Sequence, residues 1–183
     1  MKILQVLDYN TFLNDYIAVA KSVNNYVDFI WFRIKENDLN FVYEKTLQLI
    51  KFIDREKLII SEHVDIANIL SLRGVHLNKN SIPPEVIKNK FPYLTIGYSA
   101  HSLEEISRID ADYYTLSPIF FTKKDYPITP IGHSVHIPSG KKVYALGGIN
   151  SENVSLLKDN GFYGIAGISF YKELEKLKDI LKG

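Results

Sequence analysis

Cysteine is absent from the 183 residues, which excludes disulfide cross-links, thiolate metal sites and a thiol nucleophile. No window approaches the ~18 apolar residues of a membrane-crossing helix. The opening run MKILQVLDYN carries one lysine and breaks at Asp8, too early for the apolar stretch of a secretory leader. A cytoplasmic location is therefore the default expectation. Charge of one sign is lacking too: 22 Lys and Arg stand against 21 Asp and Glu. Nothing global favours nucleic acid or a membrane surface, so any anion site has to be local. Glycine is sparse, ten in the chain, and adjacent glycines therefore carry information.

What is present is average for a soluble globular chain, with 46% hydrophobic and 23% charged residues. The length suits one domain over residues 1–183. Short apolar runs alternate with helical patterns almost from end to end, the signature of repeated βα units around a parallel sheet. The strand runs cover 2–8, 27–34, 57–61, 74–77, 94–100, 113–118, 142–147 and 163–169. Helical patterns occur in FVYEKTLQLIKFI, VDIANIL, SLEEISRI, NVSLLKD and the final YKELEKLKDILK. This predicts an α/β chain forming a small (β/α)₈ TIM barrel, although periodicity alone does not separate it from a doubly wound sheet. The rhythm breaks once, from Thr122 to Lys142, where three prolines and two glycines interrupt any helical period. The helix after the sixth strand is expected to be missing or replaced by a loop. A second subunit is expected to cover the wall there, making a homo-oligomer.

In a barrel of this kind the site lies at the C-terminal strand ends, with phosphate commonly held after the seventh and eighth strands. KKVYALGGIN ends the seventh in Gly147 and Gly148, which let an anion approach the backbone. The eighth ends in Gly167, Ile168 and Ser169. The plainer alternative is that these glycines only make tight turns. Arg33 and Lys35 of FRIK alternate on the second strand, so both cations can reach one face, as a second anionic group would require; the plainer alternative is that one caps a loop and the other is solvated. Ser99, His101 and Ser102 follow the fifth strand, and Thr122, Lys123 and Lys124 follow the sixth, adding hydroxyl and ammonium donors. No acid partner supports a Ser/His nucleophile pair. His76 ends the fourth strand and faces either core or site, while His63, His133 and His136 fall in loops.

Taken in order, FRIK, GVHL, IGYSAHSLEE, ADYYTLSPIFFT, ALGGIN and GIAGIS make the chain resemble the thiamine phosphate synthase and TenI superfamily. VDFIWFR, DREKLIISEHVDIA and PPEVIKNKFPYLTIGYSAHSLEE look especially like TenI proteins. The resemblance implies a cradle for thiazole phosphate or thiamine phosphate on Gly147, Gly148, Ile168 and Ser169. It also implies the synthase reaction, in which pyrophosphate leaves an aminopyrimidine pyrophosphate with help from Mg²⁺ and the thiazole nitrogen attacks the resulting pyrimidine cation. Arg33, Lys35, Ser99 and Thr122 match residues that stabilise the leaving charge.

The departures are specific. Ser61 and Glu62 stand where synthases have Asn-Asp, and Asn78, Lys79, Asn80 and Ser81 stand where they have GQxD. Ser81 removes an anionic Mg²⁺ ligand, leaving Glu62 as the remaining acid. Trp31 takes the place of a pyrimidine-contacting Gln, and TKKD replaces TPTK, with Lys124 able to reach a similar point. Pro118 stands where TenI tautomerases carry their acid/base His, so that activity would need His101, His76 or Glu62. The leading expectation is a TenI-like protein of thiamine biosynthesis that binds the phosphate ligand. An active synthase, a thiazole tautomerase and a non-catalytic sensor are the alternatives.

Overall fold

The computed structural model describes residues 1–122 and 129–182. Eight strands follow the sequence runs: β1 (Lys2–Asp8), β2 (Phe29–Arg33), β3 (Leu58–Ser61), β4 (Gly74–Leu77), β5 (Thr95–Ala100), β6 (Tyr113–Leu116), β7 (Val143–Leu146) and β8 (Gly164–Gly167). Each lies parallel to the next, and β8 closes on β1 with Lys2 opposite Gly164 and Gln5 opposite Gly167. Closure decides between the barrel and the open sheet. It leaves no strand edge unpaired, and both faces of every strand are buried.

Alternation along the strands sorts side chains into two layers. Leu4, Val6, Trp31, Ile59, Tyr113 and Tyr144 fill the barrel interior. Ile3, Leu7, Ile30, Phe32, Leu58 and Ile60 face outward beneath the helices. Aromatic residues take up much of the interior volume, and Tyr113 meets Tyr144 edge to face at 5.6 Å.

The helices are α1 (Tyr9–Phe12), α2 (Tyr16–Val23), α3 (Leu39–Leu49), α4 (Val64–Ile69), α5 (Pro84–Lys90), α6 (Leu103–Arg108) and α7 (Leu174–Lys182). Besides the single turn α1, two of them, α2 and α5, have no counterpart among the predicted helices. The first buries Tyr16, Val19, Ala20 and Val23, a stripe at helical spacing. The second starts at a proline, whose missing N–H is harmless in a first turn. NVSLLKD was expected to be an α-helix and is only a 3₁₀ turn, Val154–Leu157. The Asn150 carboxamide oxygen accepts from the N–H groups of Glu152 and Asn153, and this local turn competes with helical bonding.

Between β6 and β7 the described residues 129–142 contain neither helix nor strand. Ile131, Val135 and Ile137 nevertheless pack against the core, so the segment itself covers this part of the wall. Ile131 and Gly132 are pinned by N–H bonds to the carbonyls of Pro118 and Ile119.

Candidate active site

A cavity of about 610 Å³ opens at the C-terminal ends of the strands. Its floor is built around His76. In β4–β5–β6 register His76 faces Gly97 and Gly97 faces Tyr113. A Cβ on residue 97 would overlap both the Tyr113 ring and the His76 imidazole. Glycine there allows His76 and Tyr113 to touch across the intervening strand, with 2.9 Å between Nδ1 and the phenol oxygen. Nε2 of the same ring lies 3.0 Å from Ser99 Oγ and 3.3 Å from Thr115 Oγ1. The Trp31 indole packs on the imidazole with ring centroids 3.8 Å apart, and its N–H donates to Ser61 Oγ at 2.9 Å. Complete burial, helped by the Arg33 charge, pushes the His76 pKa down to about 3.

The imidazole therefore has a hydroxyl partner at each nitrogen, Tyr113 at Nδ1 and Ser99 with Thr115 at Nε2, and it faces inward at the floor of the cavity.

The rim carries the charge. Arg33 ends β2 opposite Asp8 of β1 and forms an ion pair with it. Asp8 is buried and also accepts from the Thr11 N–H and hydroxyl, which fixes the carboxylate and with it one side of the guanidinium. Lys35 lies two residues further on and lines the same cavity. Thr122 also lines it, and its buried Oγ1 has no partner among the described residues. His101 lines the opposite side with Nδ1 2.9 Å from the Ser117 carbonyl. A carbonyl only accepts, so Nδ1 is the donor, and Nε2 has no partner among the described residues. Pro118 lines the cavity beside it. Lys124, like Lys123, lies outside the described residues.

Gly147, Gly148, Gly167, Ile168 and Ser169 form the remaining wall. Gly148 has a φ of +68°, and a Cβ there would stand 2.5 Å from the Phe121 carbonyl oxygen. This glycine is therefore required by the packing of the β6 loop as well as by its backbone conformation.

Glu62 and Ser81, from the two loops where acids were expected, do meet, but Ser81 Oγ donates to Glu62 Oε1 at 3.0 Å. No group of three His, Asp or Glu converges among the described residues. One carboxylate with one oxygen already hydrogen-bonded does not fit a metal held by two protein acids.

Arg33, Lys35, Glu62, His76, Ser99, His101, Thr122 and the glycine-bounded loops therefore line one cavity, whereas Ser102 does not and instead caps α6 (Leu103–Arg108). Asp8, Tyr113 and Thr115 were missed, since a buried polar residue inside an apolar strand run signals function only once its neighbours across the sheet are known. Together these features define a parallel (β/α)₈ barrel with its candidate site at the C-terminal mouth. Residues 5–170 match the family described as thiamine monophosphate synthase. The chain belongs to that family.

Among its relatives, a putative thiamine-phosphate synthase 2 of Aquifex aeolicus is 44% identical over 127 residues, covering 63% of this chain and 66% of the relative. A thiamine-phosphate synthase of Clostridium acetobutylicum is 32% identical over 178 residues, covering 90% of this chain and 82% of the relative. The solved thiamine phosphate pyrophosphorylase of Pyrococcus furiosus superposes with a TM-score of 0.79 at 28% identity, covering 99% of this chain and 95% of that one. Among the described residues no helix is long and apolar enough to cross a membrane.

Proposed function

We propose that the chain is a thiamine-phosphate synthase, joining an aminopyrimidine pyrophosphate to thiazole phosphate. The carrying observation is that one cavity of about 610 Å³ brings the glycine-bounded backbone of the last two loops together with Arg33, Lys35, Ser99 and Thr122. That volume lies within the ~300–1,000 Å³ typical of small-molecule pockets. In the proposed reaction the bond from the pyrimidine methylene carbon to a pyrophosphate oxygen breaks, and the thiazole nitrogen bonds to that carbon of the resulting cation. The electron pair leaves on pyrophosphate. Arg33, held from behind by Asp8, and Lys35 meet the growing negative charge, while the Ser99 and Thr122 hydroxyls donate to its oxygens. The relatives named as synthases support this reading over the binding-only TenI-like one.

A tautomerase is less well served. Pro118 has no proton to move, and both His76 nitrogens are engaged in buried contacts. His101 would be the remaining imidazole with a free nitrogen.

The Glu62–Ser81 hydrogen bond favours a second reading, a protein that binds the phosphate ligand without turnover. Mixing the pure protein with thiazole phosphate, aminopyrimidine pyrophosphate and Mg²⁺ separates the two. Equal yields of pyrophosphate and thiamine phosphate are expected. No product, with thermal stabilisation by thiazole phosphate retained, would replace the synthase with the binding protein.

A further inference from the structure

We infer that Gln5, from outside the cavity, is a positioning residue that aims the backbone donors of the phosphate seat. Gln5 lies in β1 between the inward-facing Leu4 and Val6, so its side chain points to the other face of the strand. It is fully buried. Its Nε2 stands 3.0 Å from each of three carbonyl oxygens, those of Val6, Gly167 and Ile168. Three acceptors around one atom identify that atom as the amide nitrogen.

The consequence follows from the planar trans peptide, in which C=O of one residue and N–H of the next point in opposite directions. Holding the Gly167 oxygen toward Gln5 turns the Ile168 N–H away from it. Holding the Ile168 oxygen there does the same for the Ser169 N–H. Both residues line the cavity and Gln5 does not, so these two donors stand on the ligand side.

The β7 loop repeats the arrangement with other partners. The Gly147 carbonyl accepts from Phe120 N–H at 3.0 Å, and the Gly148 carbonyl accepts from Asn153 Nδ2 at 2.9 Å. Those bonds turn the N–H groups of Gly148 and Ile149 away from Phe120 and Asn153. Among the described residues, the N–H groups of Gly148, Ile149, Ile168 and Ser169 have no protein acceptor. Four carbonyls tied back and four N–H groups left unpaired form a neutral, preorganised site for the oxygens of a phosphomonoester. Gln5 is the side chain that holds two of the four.

The inference rests on the reading that this cavity binds a phosphorylated ligand, and its test keeps the two apart. Calorimetric titration compares thiazole phosphate with the unphosphorylated thiazole alcohol on the wild type and on Gln5→Met, which keeps the bulk and removes the donor. The variant is expected to bind thiazole phosphate about tenfold or more weakly, with affinity for the alcohol unchanged. A general structural lesion would weaken both ligands alike, and equal losses overturn the inference, as does unchanged phosphate affinity.

If the wild type ignores thiazole phosphate, the thiamine-phosphate synthase reading fails. Inorganic phosphate then replaces it as probe, with the same loss expected in the variant, and no phosphate binding at all sinks both ideas. Should Gln5→Met fail to fold, amide NMR of the wild type decides. Saturating phosphate ligand is expected to move the Ile168 and Ser169 N–H resonances downfield, and unmoved resonances overturn the inference.

Discussion

His76 shows how one residue joins stability to chemistry. Its imidazole stays unprotonated in the fold until about pH 3, whereas in the unfolded chain it takes up a proton near pH 6.5. Acid therefore favours unfolding: the contribution is intact above pH 6.5 and is lost as pH falls toward 3. Denaturant melts between pH 6 and 4 should show wild-type stability falling more steeply than that of His76→Gln, by roughly 1.4 kcal/mol per pH unit. Parallel slopes would mean that the ring is not held neutral. Gly148 offers a second residue-scale expectation. At φ +68° with the Phe121 carbonyl in the way, Gly148→Ala should lower stability by about 2 kcal/mol or more, from left-handed strain plus the clash. Arg33 could be read as a cation at the end of an apolar strand, whereas Lys35 lies past the last residue of β2, outside the alternation expected for it, and still lines the cavity. His76 could not, because its direction depends on which strands flank β4 and on Gly97 leaving space between it and Tyr113.

Elements place these residues through their ends. The α6 helix begins with Ser102 as N-cap, whose Oγ accepts from Glu105 N–H at 3.2 Å, and the Glu105 carboxylate accepts from His101 N–H at 2.7 Å. This arrangement ties the loop carrying His101 to the helix. Ser102→Ala should cost about 1 kcal/mol of unfolding free energy with an unchanged m-value; a change below a few tenths would remove the cap from the account. The strands were legible because apolar runs bounded by breaks survive in any context. Helices were less so: α2 shows a full apolar stripe at Tyr16, Val19, Ala20 and Val23, yet it sits behind a short turn that masks where it starts. The 3₁₀ turn at Val154–Leu157 went the other way, since the Asn150 carboxamide accepts the N–H groups that begin a helix.

For the whole molecule, ligand binding should read out as cooperative stabilisation, because the cavity draws on nearly every strand end. Thiazole phosphate at a hundredfold excess over its dissociation constant should add about 2.7 kcal/mol, raising Tm by about 5–10 °C for a chain of this size. The unphosphorylated alcohol should raise it much less, and an equal shift from both would place the phosphate outside the backbone seat. The order of strands, the lack of a helix in the described residues 129–142 after β6 and the glycine-marked loops of β7 and β8 were written in the chain. They depend on local pattern and backbone conformation, which act over a few residues. Closure of β8 on β1, the Tyr113–His76–Ser99 array and the hold of Gln5 on the Gly167 and Ile168 carbonyls were not. Gln5 lies 162 residues from Gly167, and no local preference reaches that far. Register across a closed sheet is what turns an unremarked glutamine in a buried strand into a neighbour of the site.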